Sequence, residues 1–181
     1  RFDVQMNDKA AKENSDYVAN LKSWRAWFDG DISIYSYYRK YAWNSLPVLI
    51  PHYIQNDLRF YETIPAQGIS TYSEPGDWAT YELNHYLLAR LASDPDLDVD
   101  AWIAGFCNAR YGFDASDKTQ LAIKTLEDTR RFNSVPYTPL PSVEDLNQQI
   151  ARVDHAQSEI TRAEAKQGEQ TNRPALRCPR I

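Results

Sequence analysis

Ala66-Gln67-Gly68-Ile69-Ser70-Thr71-Tyr72-Ser73-Glu74-Pro75-Gly76-Asp77-Trp78 reads as a short strand that ends in a carboxylate, followed by a turn and a helix start. Ile69, Thr71 and Tyr72 favour a pleated, half-buried segment, Pro75-Gly76 forbids its continuation, and Asp77 suits the N-cap of the next helix. Alternation puts Ser70, Tyr72 and Glu74 on one face, with Glu74 at the carboxyl end. In α/β barrels and open α/β sheets, that end carries the chemistry.

A second strand is expected upstream. Asp29-Gly30-Asp31 stops a helix read over Asn7 to Phe28, whose apolar stripe is Ala10, Tyr17, Leu21, Trp24 and Phe28. Ile32-Ser33-Ile34-Tyr35-Ser36-Tyr37-Tyr38 then alternates, with Ile32, Ile34 and Ser36 on one face and Ser33, Tyr35 and Tyr37 on the other. Arg39 to Ser45 reads as a loop over the end of this strand. Its cations, Arg39 and Lys40, stand among Tyr41 and Trp43, where they either fix the loop through cation–π contacts or hold a sugar carboxylate. A helix framed by Pro47 and Pro51 follows, with Ile54, Leu58, Tyr61 and Ile64 as its buried stripe.

Helix, strand, helix, strand, helix is the order of successive βα units, so the two strands are expected to run parallel. Two strands alone are not a stable sheet. Either other sequence completes the sheet, or the remaining helices bury the strands in a small α+β domain.

Downstream, the pattern is helical. Leu83, Leu87 and Leu91 define one helix, which ends near Ser93-Asp94-Pro95. Asp94, Asp96, Asp98 and Asp100 invite a calcium-loop reading, but Val99 and Gly105 stand where that loop needs glycine and glutamate. An acidic helix start ahead of Trp102, Ile103 and Phe106 is the better account. Gly112 closes that helix, and Ala115 to Phe132 forms another through Leu121, Ala122, Thr125, Leu126 and Thr129. We divide the chain into a body over 1–133, a proline-marked linker over 134–141, an amphipathic helix over 142–168 and a flexible tail over 169–181.

Composition narrows the function classes. A chain of 181 residues is long enough for a substantial core but too short for a complete eight-unit barrel, which takes roughly 250. A net charge of −5 and a pI near 5.2 argue against a nucleic-acid partner. No apolar run approaches the roughly 20 residues of a membrane span. Cys107 and Cys178 form no metal pattern, and His52, His85 and His155 are scattered, so neither metal nor cofactor is expected. No nucleophile elbow, P-loop or dinucleotide fingerprint is present. The chain opens on Arg1 rather than Met, and we expect it to begin inside a longer polypeptide.

What remains is carboxylates beside aromatics. Of the 5 Trp, 12 Tyr and 6 Phe, all but Phe2, Phe132 and Tyr137 lie between Tyr17 and Phe113. Most belong in a core, but rings beside an acid are also the equipment of glycoside hydrolysis, where two carboxyls flank the scissile bond. Glu74 is the best-placed acid, either as a catalytic group or as a cap or salt bridge of its loop. Tyr35, Tyr37, Arg39, Tyr72 and Trp78 are candidate substrate contacts, and Asp77 is a helix cap first and a site wall second. A second catalytic carboxylate is not evident.

A wider pattern accompanies these residues. Ile34-Tyr35-Ser36-Tyr37-Tyr38, Pro47 and Pro51, Asp57-Leu58-Arg59-Phe60-Tyr61, Gly68-Ile69 with Glu74, and Leu83-Asn84-His85-Tyr86-Leu87-Leu88-Ala89-Arg90-Leu91 follow one another in order. Asp94-Pro95-Asp96-Leu97-Asp98, Phe106 and Arg110-Tyr111-Gly112 continue the series. The set resembles bacterial domain-of-unknown-function family 4838, associated with α-glucuronidase-like glycoside hydrolases, over roughly Trp24 to Phe132. That family often shows Trp-Asp-Pro where Ser93-Asp94-Pro95 stands here.

The resemblance implies an α/β fold, mostly α by residue count: the last units of a partial (β/α) barrel, followed by a helical C-terminal region. It further implies a poly- or oligosaccharide substrate, a complementary acid upstream of Arg1 in the same polypeptide, a secreted or periplasmic location, and a fragment inactive alone. The alternative is a non-catalytic helical module that binds carbohydrate or protein through its aromatic face and late amphipathic helix.

Overall fold

The computed structural model describes residues 6, 11–39, 47–74, 76, 78–129 and 143–171. They form α1 (Lys12–Arg25), β1 (Ser33–Ser36), α2 (Pro51–Glu62), β2 (Gly68–Thr71), α3 (Trp78–Leu91), α4 (Val99–Tyr111), α5 (Phe113–Thr129) and α6 (Val143–Thr171). The fold is therefore mostly helical with a small parallel sheet. Helix α6 runs three residues beyond the expected end at 168. The linker expected at 134–141 and residues 172–181 lie outside the described residues, as do Lys40 to Ser45 of the loop after β1.

Strands β1 and β2 pair in parallel, in the register Ser33↔Gly68, Ile34↔Ile69, Tyr35↔Ser70 and Ser36↔Thr71. Hydrogen bonds from Gln67 N to Ile32 O (2.9 Å) and from Tyr72 N to Ser36 O (3.1 Å) carry the pairing one residue past each end. Alternation works as read for β1: Ile32, Ile34, Ser36 and Tyr38 are buried, whereas Ser33 and Tyr35 are exposed. Among the described residues the sheet has these two strands, which makes each of them an edge.

Two apolar clusters hold the helices to this pair. The larger joins Ile50, Ile54 and Leu58 of α2 and its approach to Leu83, Leu87 and Leu91 of α3, Ile103 and Cys107 of α4 and Ile123 of α5. The smaller joins Leu21 of α1 to Ile32, Ile34, Phe60, Tyr61 and Ile64. All four stripe residues read for α2 are buried, as periodicity requires. Of the stripe read for α1, Leu21 is buried and Phe28 half-buried, and Ala10 lies outside the described residues; Tyr17 and Trp24 are a correction, being 38% and 45% exposed, and Asn14 is the inward position that the reading lacked. Leu121 of α5 is likewise exposed rather than inward.

The helix ends follow local chemistry. Pro51 stands in the first turn of α2, where its missing N–H has no helical partner to lose. The acidic run at 94–100 is a helix start: Asp98 Oδ1 accepts the Ala101 N–H (3.0 Å) as N-cap of α4, and Asp96 pairs with Arg59 (2.9 Å). Gly112 ends α4 at φ 80°, a conformation that glycine adopts without steric cost. Helix α6 packs along α5, and buried Glu159 lies between Lys118 of α5 (3.3 Å) and Arg162 one turn on. Burial alone would raise the Glu159 pKa, but the two cations hold it below the usual carboxylate value.

Candidate functional site

Beyond Ser36 and Thr71 both chains leave the ladder at the same end, and the side chains of the open face collect there. Tyr35 meets Tyr37 edge-on (centroids 5.2 Å, 88°), and Tyr37 stacks on Tyr72 (5.9 Å, 29°). The Tyr72 hydroxyl donates to Glu74 Oε2. The Arg39 guanidinium lies over the Tyr72 ring at 5.6 Å and over the Tyr81 ring of α3 at 5.8 Å. Thus the parallel register delivers Tyr35, Tyr37, Arg39, Tyr72 and Glu74 to one rim.

Each member is held from behind. The Tyr38 N–H donates to Thr71 Oγ1 (3.2 Å), tying the departing end of β1 to the last residue of β2. Asn84 of α3, 1% exposed, accepts the Ile50 N–H (3.1 Å) and donates to Val48 O (2.9 Å) and Tyr38 O (3.4 Å). One amide side chain therefore fixes both feet of the segment that leaves β1 and returns to α2. Arg39, next to one foot, is 3% exposed, so its contribution to the rim is a fixed positive charge rather than an extended arm.

The remaining candidates are placed differently. Trp78 is 52% exposed, and its ring stacks on His85 (4.9 Å, 9°) rather than on the tyrosines. Burial lowers the His85 pKa below the usual imidazole value. Asp77 lies outside the described residues.

Beneath the sheet lies a group that sequence reasoning missed. Asp57 of α2, 4% exposed, accepts the Met6 N–H (2.6 Å) on Oδ1. Desolvation raises its pKa from 3.8 to about 7, with the Met6 amide and the neighbouring Tyr38 hydroxyl pulling the other way. The signal was in the chain: Asp57 falls three residues after Ile54 on the buried stripe of α2. Tyr81, the second ring under Arg39, gave no comparable signal, because any aromatic of that helix reads as core.

Among the described residues no group of three or more His, Cys, Asp and Glu is disposed to hold a metal ion. No helix among them is long and apolar enough to cross a membrane. In comparisons with known proteins, a family described as "Domain of unknown function (DUF4838)" matches residues 2–122. No curated protein and no solved structure matches the chain.

Proposed function

The chain belongs to the DUF4838 domain family, and from that premise we propose that it forms part of a carbohydrate-active glycoside hydrolase of the α-glucuronidase-like kind. In this reading β1 and β2 are the last strands of a (β/α) barrel, and the rim at their carboxyl ends is one wall of a sugar subsite. The observation that carries it is the Tyr72–Glu74 hydrogen bond, set among stacked tyrosines at the carboxyl end of a parallel strand pair.

Each residue then has a task. Tyr35, Tyr37 and Trp78 offer flat apolar faces to pyranose rings, and the exposed face of Tyr35 is the most available of the three. Tyr72 orients Glu74, while the Arg39 charge over the Tyr72 ring strengthens the phenol as a donor. Glu74 protonates the glycosidic oxygen or binds sugar hydroxyls. Hydrolysis needs a second carboxyl across the bond, supplied from a strand that extends the sheet beside β1.

The test is Glu74→Gln in the intact protein, assayed on neutral and uronic-acid-bearing oligosaccharides. Turnover should fall about 10²–10⁴-fold, the usual worth of a general acid or base, with binding retained. Tyr72→Phe, which keeps the ring and removes the donor, should give a smaller loss. Unchanged hydrolysis of every accepted glycan in Glu74→Gln removes the catalytic role.

A second reading rests on α6. Val143, Ile150 and Val153 are 75%, 58% and 48% exposed, an apolar series on a helix otherwise packed against α5. A module that binds a partner there predicts loss of that partner when Ile150 and Val153 are both changed to Glu, with glycan affinity untouched. An enzyme wall predicts no change in either.

A further inference from the structure

A histidine between two carboxylates stands apart from the rim. His52, in the first turn of α2, has its Nδ1 2.6 Å from Glu127 Oε2 near the end of α5, and its backbone N–H donates to Glu127 Oε1 (2.8 Å). On the other side of the ring, Nε2 lies 3.5 Å from Asp100 Oδ1 in the first turn of α4. The three residues border a cleft of about 250 Å³ between these helices, walled by Ile103, Gln120 and Ile123.

A neutral imidazole carries one N–H. The short Nδ1 contact with buried Glu127 claims it, which leaves the Nε2 lone pair facing the Asp100 carboxylate, acceptor against acceptor. A protonated ring keeps its bond to Glu127 and pairs its charge with Asp100. Lys124, the other charged side chain at the cleft, sits on α5 and opposes the proton. We propose that His52 is a proton-operated latch: its protonated ring joins Glu127 of α5 to Asp100 of α4 across the mouth of the cleft, and the neutral ring releases Asp100 to solvent and opens that mouth.

The asymmetry of burial decides which bond is given up. Glu127 is 8% exposed and also holds the His52 backbone, so it stays; the Asp100 side chain is 84% exposed and regains water at little cost. The hydrogen bond to Glu127 raises the His52 pKa above 6.5, and the two carboxylates add to the rise against burial and Lys124. The latch therefore opens as pH rises through that elevated value.

The experiment is a pH titration of the intact chain by nitrogen–proton NMR, following the His52 ring and the backbone amides of Asp100 to Ile103. In the wild type the ring should titrate above 6.5, and these amide peaks should move with the same midpoint. Asp100→Asn, an exposed change that leaves the core intact, should lower the ring midpoint. His52→Gln keeps a donor for Glu127 and should abolish the amide movement. Amides that titrate identically in His52→Gln, or a ring midpoint unmoved by Asp100→Asn, would overturn the latch.

Discussion

Between pH 4 and pH 8 the unfolding free energy of the wild type should fall by up to about 4 kcal/mol relative to Asp57→Asn, the roughly three-unit rise of the Asp57 pKa at about 1.4 kcal/mol per unit. The sign follows from proton counts. From pH 3.8 to about 7 the folded chain keeps a proton on Asp57 that the unfolded chain has released, so rising pH favours unfolding throughout that window. The stabilising contribution is complete below 3.8 and gone above about 7. Asparagine in this place still accepts the Met6 N–H and never ionises, so the variant loses this slope. Denaturant titrations of both proteins at pH 4 and pH 8 measure the difference, and parallel profiles would show that Asp57 ionises as freely in the fold as out of it.

Other groups tilt the same curve. His52, whose folded pKa is raised, contributes stability that is present below 6.5 and lost as pH climbs through its folded value. Glu159 works the opposite way: its depressed pKa gives stability above 4.5 that is lost as pH falls. Asp57 and His52 both weaken the fold on the alkaline side, and Glu159 weakens it on the acid side. Among these three, the balance places the stability maximum at mildly acidic pH.

What the chain disclosed and what it hid divide along physical lines. The parallel pair was legible because strand, helix, strand in that order leaves one favoured geometry, and the rim was legible because a period of two places Tyr35, Tyr37, Tyr72 and Glu74 without further information. The exposure of Tyr17 and Trp24 was not legible. Periodicity says which residues share a face of α1, but the face is buried only where something lies against it, and among the described residues it is Leu21 that joins the cluster of Ile32, Ile34, Phe60, Tyr61 and Ile64. The His52 latch was hidden for another reason: Glu127 lies 75 residues away, and the packing of α5 on α4, with α4 against α2, brings the two together.

Asp57 and Asn84 are an intermediate case. Each occupies a stripe position, Asp57 between Ile54 and Leu58, Asn84 between Tyr81 and Leu87–Leu88, and both are buried. A polar side chain that the helical period carries inward must find hydrogen bonds there, so its position announces a buried network even though its partners cannot be named.

Asn84 is where that network meets the candidate site, and Asn84→Leu is expected to destabilise the chain by about 4 kcal/mol. Leucine keeps the branching and adds bulk, so no cavity opens, and the loss comes chiefly from stranding the Ile50 N–H and the Tyr38 and Val48 carbonyls, at about 1–3 kcal/mol for each buried group. Water cannot easily replace the amide, since Tyr38 is 1% and Ile50 0% exposed. Freed at both feet, the segment after β1 no longer holds Arg39 over Tyr72. Sugar affinity at the rim should therefore fall together with stability, whereas a core substitution remote from the rim, such as Cys107→Ala, should lower stability alone. Chemical unfolding and oligosaccharide titration of the two variants side by side separate these outcomes. A loss below about 1 kcal/mol for Asn84→Leu would mean that the three backbone groups find other partners and that the rim is held by the tyrosine stack without help from α3.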